Sequence, residues 1–285
     1  MGDLSIDTEL IDLGGGNYRA TLSPDWEIWG PMGGYVASVA LRAVGRASRF
    51  HRPASFFCHY LAVATFDDVD VSVTKLKGAR RAESHWVEVT QGGTPILEAT
   101  VWSIGDVDGL VHNDCKPPLV PRPELLRALH EVPRPLPDDR PRYPFWDNVD
   151  VRLLSFEEVW PPRMPNPSIW RQWCRLVPTS RFEDPWLDAC RSLIFIDIQS
   201  WPSASGPHVA DPAKFTAPML DLYVAFHDPN NSSEWLLADG SGPVAKDGLM
   251  GWNGRLWSLT GDLVASGMGQ MLCRHLPSRA KRVDK

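Results

Sequence analysis

The sequence has no apolar run near the ~20 residues that a bilayer-spanning helix needs. Its 5 cysteines and 8 histidines show no CxxC, HxH or HExxH spacing, so no metal site is read. Positive charge is short as well: 29 Lys and Arg face 35 Asp and Glu, a net charge of −6, and the basic residues are scattered. Phosphate backbones call for a clustered basic face, which argues against nucleic acid as a partner. The basic tail RAKRVDK (279–285) reads as a frayed end. There is no GxSxG elbow, and Gly14-Gly15-Gly16 lacks the spacing and following helix of a dinucleotide site. The start, MGDLSIDTEL, is acidic without an apolar stretch, which reads against a signal peptide. An odd cysteine count without ligand spacing reads as reduced thiols in a cytoplasmic protein. No cofactor is expected.

What is present is an ordinary globular composition, 43% hydrophobic and 22% charged over 285 residues. Proline divides it, with 13 of the 26 prolines between Pro117 and Pro167. Proline suits neither a ladder nor a helix interior, so residues 111–167 read as a surface connector in which only ELLRALH (124–130) is helical. The flanking units, 1–110 and 168–285, share one order of elements. The first has a short strand (18–22), a helix from Met32 to about Ser48, then strands over 54–64, 68–76, 83–91 and 95–104. The second has a strand over 168–176, a helix within 183–199, then strands over 217–226, 234–241, 248–259 and 262–274. QGG (91–93) and TG (260–261) supply hairpin turns. A helix followed by an antiparallel meander, twice, predicts an α+β chain of two equivalent units.

Four stretches in this order carry a resemblance: GPMGGYVASVALRAV, TQGGTPILEATVWS, APMLDLYVAFH and GRLWSLTGDLVASGMGQMLCR. The chain resembles the acyl-CoA thioesterase II family of tandem, or double, hotdog proteins. The resemblance implies two units in which an antiparallel sheet wraps one central helix. It also implies hydrolysis of an acyl-CoA to free acid and CoA by a positioned water, and assembly into a homo-oligomer. The alternative is a non-catalytic hotdog protein that binds acyl-CoA or another hydrophobic ligand. Acyl length and pathway within lipid metabolism are left open.

Gly33 and Gly34 open the first helix without a Ser, Thr or Asp cap. A first helical turn carries unpaired N–H groups and partial positive charge, and bare glycines would let a thioester oxygen approach them. The other reading is a glycine turn whose helix start is covered by another element. By the resemblance, an Asp, a hydroxyl residue and a Gln of the second unit hold the water. Asp221 of MLDLYVAFH matches the Asp, although Leu222 follows it where the family has His. Ser241 falls at the hydroxyl position. The Gln position falls on Gly269, with Gln270 next to it. Neighbouring residues on a regular strand face opposite sides, so Gln270 requires a bulge at Gly267 or Gly269 to reach the site. Trp26, Trp29 and Trp252 are candidates to line an acyl tunnel or its mouth.

Overall fold

The computed structural model describes residues 1–131, 143–154, 166–208, 215–228 and 233–275. A short α1 (Leu4–Asp7) precedes β1 (Ile11–Gly14) and β2 (Asn17–Thr21). The first long helix, α2 (Gly33–Ala47), leads into β3 (Arg52–Tyr60), β4 (Asp68–Gly78), β5 (Ala82–Gln91) and β6 (Thr94–Ile104). Next come β7 (Val149–Leu153), β8 (Ile169–Leu176), α3 (Pro185–Asp197) and α4 (Ser200–Ser205). The chain closes with β9 (Phe215–Thr216), β10 (Asp221–Phe226), β11 (Leu236–Lys246), β12 (Leu249–Trp257), β13 (Leu263–Leu272) and β14 (Arg274–His275).

Twelve strands form one antiparallel sheet in the order β1-β2-β4-β5-β6-β3-β10-β13-β12-β11-β8-β7. The strand that follows the helix in the first unit, β3, meets its counterpart β10 at the centre, with Phe57 opposite Tyr223. Each half of the sheet thus wraps one helix, as the repeated order of elements predicts. Alternation sets the buried face: Val87 and Val89 of β5 and Leu222 and Val224 of β10 point inward. The first helix buries Val36, Ala37, Val39, Ala40, Leu41, Ala43 and Val44. Its many small side chains let both the sheet and the second helix approach closely.

The two helices pack antiparallel around an approximate two-fold axis. Ser38 Oγ donates to Cys190 O at 3.3 Å, and Cys190 Sγ donates to Ser38 O at 3.5 Å, so this pair marks the axis. Four residues before it, Gly34 meets Asp197 of α3; seven after it, Gly45 meets Trp186. A Cβ at Gly45 would lie 2.8 Å from the Trp186 ring, and the indole N–H is anchored on Phe50 O at 3.2 Å. The two ends are therefore built from different residues: glycine with aspartate at one, tryptophan with glycine at the other.

The proline-rich stretch departs from the expectation of a surface connector. Its residues 149–153 form β7 at the sheet edge, pairing with β8. Phe145 is fully buried against Trp26, with ring centroids 6.2 Å apart. The predicted helix over 124–130 is instead two isolated 3-10 turns, Pro123–Leu125 and Leu129–Glu131. Apolar side chains on this proline-rich backbone reach the core both from a 3-10 turn, as Phe145 does, and from the β7 ladder, as Val151 does.

Candidate active site

The start of α2 is covered by the other unit. The Gly34 N–H donates to Asp197 Oδ2 at 2.7 Å, while Met32, in the capping position, offers no side-chain bond. Asp197 is the last residue of α3, so the anionic group that meets the positive end of one helix arrives on the other. Glycine at 34 is a packing requirement: a Cβ there would lie 3.0 Å from Ile194 Cα and 3.1 Å from Leu193 O, both backbone. A Cβ at Gly33 would lie 3.2 Å from Tyr60 Oη and 3.3 Å from Asp197 Oδ2. The Gly33 N–H donates no hydrogen bond among the described residues. Burial drives the Asp197 carboxyl up to about 7, against the stabilising pull of the Gly34 N–H. The expected row of bare helix donors is thus reduced, and a buried carboxylate stands beside what remains.

The aromatic residues ahead of α2 divide by role. Trp26 is buried, stacks on Tyr35 at 5.2 Å and donates from Nε1 to Asp7 Oδ2 at 2.9 Å, so it braces the helix start. Trp29 is exposed at φ 64, edge-on to Tyr143.

The three residues expected to hold the water are on the outer face of the sheet. Asp221 shares the face of Tyr223, and its Oδ1 accepts the backbone N–H of Gln270 at 3.0 Å. The Gln270 side chain is exposed. The β12–β13 register runs regularly from Leu249–Leu272 to Leu256–Ala265, so the bulge needed to turn that amide inward does not occur. Ser241 Oγ donates to Asn253 Oδ1 at 3.1 Å. It is three strands from β10 in the sheet order, roughly 14 Å at the usual strand spacing. Asp221 and Gln270 are brought together; Ser241 is not. At the inward position 269, a Cβ would collide with Asp221 O, and the Trp252 indole covers the glycine, with Nε1 3.2 Å from that point.

The N-terminal domain of the acyl-CoA thioesterase family matches residues 22–104, and its C-terminal domain matches residues 126–272. The chain belongs to this family. The solved acyl-CoA thioesterase II TesB2 of Mycobacterium marinum is similar over 96% of this chain and 99% of its own, at 21% identity and TM-score 0.79. A TesB protein of Mycobacterium avium subs paratuberculosis is similar over 95% and 98%, at 20% identity and TM-score 0.77. A hot dog fold protein of unknown function from Alicyclobacillus acidocaldarius covers 95% and 97%, at 19% identity and TM-score 0.77. The double hotdog architecture holds over nearly the whole chain, and the thioesterase is a thioester hydrolase acting on acyl-CoA.

The sequence reading passed over the buried carboxylate of Asp197. Asp197 was inside a predicted helix, in FIDIQ, and a lone acid among buried apolar neighbours was the available signal. Among the described residues of the thioesterase, no group of His, Cys, Asp or Glu is arranged to hold a metal, and no helix is long and apolar enough to cross a membrane. His227 Nε2 is bonded to Ser266 Oγ at 2.9 Å, and His59 is edge-on to Phe57; both side chains are exposed.

Proposed function

We propose that the thioesterase hydrolyses acyl-CoA at the junction of the α2 start with the α3 end, with Asp197 as the general base. Asp197, rather than Asp221, takes this role because its carboxylate is buried and fixed by a helix-start N–H. The outward Asp221 bonds a strand N–H instead. A carboxyl that titrates near neutrality can accept a proton from water and return it within one cycle. Water oxygen bonds to the thioester carbon as its proton moves to Asp197. The C–S bond then breaks, and the proton passes to the CoA sulfur, leaving free acid and thiol. The single observation that carries this reading is the Gly34–Asp197 contact beside the open Gly33 N–H.

The test is a panel of acyl-CoAs with a free-thiol readout on wild type, Asp197→Asn and Asp221→Asn. Turnover lost in the first variant and kept in the second supports the assignment; the reverse pattern restores Asp221. A wild type that binds acyl-CoA without releasing thiol would instead mark a binding protein. A homo-oligomer and a cytoplasmic setting within lipid metabolism are further parts of this proposal. They are supported by the exposed edge strand β1 and by five free thiols.

A further inference from the structure

The hydroxyl of Tyr60 is buried and has no hydrogen-bond partner. A buried tyrosine hydroxyl normally finds one, and leaving it without a partner is costly. The position of this residue is firmly set. It ends β3, where its backbone N–H donates to Leu220 O at 2.9 Å, and it shares the inward face of Phe56 and Cys58. The Cys58 thiol stands beside the hydroxyl without forming a hydrogen bond of acceptable geometry.

What lies opposite gives the orphan group its meaning. The Tyr60 hydroxyl and Asp197 Oδ2 approach the same point, the place a Gly33 side chain would fill, at 3.2 Å and 3.3 Å. Because residue 33 is glycine, no side chain stands between the hydroxyl and the carboxylate, which close on it tightly from two sides. Burial first, then the neighbouring Cys58 and Asp197, hold the phenol well above its ordinary range, so it stays protonated. Asp197 occupies the Gly34 N–H, so of the first two helix-start donors only the Gly33 N–H is left unbonded among the described residues. The Tyr60 O–H adds a second donor without a partner.

We propose that Tyr60 is a catalytic residue whose O–H holds the thioester carbonyl oxygen as it becomes an oxyanion. This rests on the reading of Asp197 given above. As water bonds to the carbonyl carbon, the C=O π pair moves onto oxygen, where the Tyr60 O–H holds it and keeps its own proton. The pair returns as the C–S bond breaks, and the proton taken by Asp197 leaves with the CoA sulfur. No other reactant enters. A charge that appears only in the transition state is the kind of target for which a buried, fixed donor is most effective.

Tyr60→Phe removes the hydroxyl and keeps the ring. Losing one oxyanion donor lowers kcat about 10²–10³-fold, and KM should remain within about twofold. Because the hydroxyl lost has no partner, the melting temperature should stay level or rise. A variant with kcat within about threefold of wild type overturns the proposal. So does a fall in kcat that follows a fall in melting temperature, which would mark a packing role. Asp197→Asn run beside it separates the two claims. Inactive Asp197→Asn with fully active Tyr60→Phe removes Tyr60 alone, whereas full turnover in Asp197→Asn overturns the site and Tyr60 with it.

Discussion

Replacing Asp197 by Asn keeps an oxygen for the Gly34 N–H and removes the charge, so it isolates what the charge does. Loss of a general base lowers kcat about 10²–10⁴-fold. In wild type, kcat/KM should climb with pH and level off above about 7, where the carboxylate is formed. The groups facing it from β3, Tyr60 and Cys58, are both held protonated across that range, and α2 presents only backbone. Stability runs the other way. A carboxyl near 3.9 in the unfolded chain and about 7 when folded binds more protons when folded. Its contribution is therefore complete below about 4 and is lost as pH rises to about 7, on the order of 4 kcal/mol. Asp197→Asn should flatten that slope and melt higher than wild type at pH 8. Melting curves from pH 4 to 8 check this, and a variant with wild-type slope would contradict it.

The glycines of the central helices are spacers, and their substitution should be felt as lost packing. Any side chain at Gly34 presses on the backbone of α3 near Leu193 and Ile194. Gly34→Ala should cost about 1–3 kcal/mol, the usual penalty of overpacking, and denaturant titration would show it. Restoring an amide at 269 meets the same obstacle. Gly269→Gln drives its Cβ into Asp221 O and under the Trp252 indole, so a less stable protein with no gain in turnover is expected. These elements were largely legible in the sequence. The apolar period of α2 and the glycine turns at 92–93 and 261, all at positive φ, placed most strands within a few residues. Strict alternation also put Gly269 and Gln270 on opposite faces, as found, whereas the bulge expected to turn Gln270 toward the site does not occur. β1 was missed because all four of its residues are exposed, and β7 because prolines surround it. Asp197 could not be paired with Gly34 from sequence, because 163 residues separate them and only the packing of two helices joins them.

At the scale of the whole molecule, the halves share one sheet through β3 and β10 and one helix pair. A single cooperative transition is expected in calorimetry, and two separated transitions would show that the units hold independently. Catalysis should be just as indivisible, since Gly34 and Tyr60 come from one unit and Asp197 from the other. Either half expressed alone should release no thiol from acyl-CoA.

The axis through Ser38 and Cys190 has one more consequence, for how such a molecule can change over time. Two identical subunits related by a true dyad must carry the same residue at both of their equivalent positions. A mutation that improves one cleft then alters the other as well. Once both copies lie on a single polypeptide, that constraint is gone. Position 34 can stay glycine while its counterpart becomes Trp186, and Asp197 can persist while its counterpart is Gly45. One end can keep a buried carboxylate against a glycine helix start while the other is filled by an indole. Carrying both units on one polypeptide is what allows the two ends of the helix pair to differ.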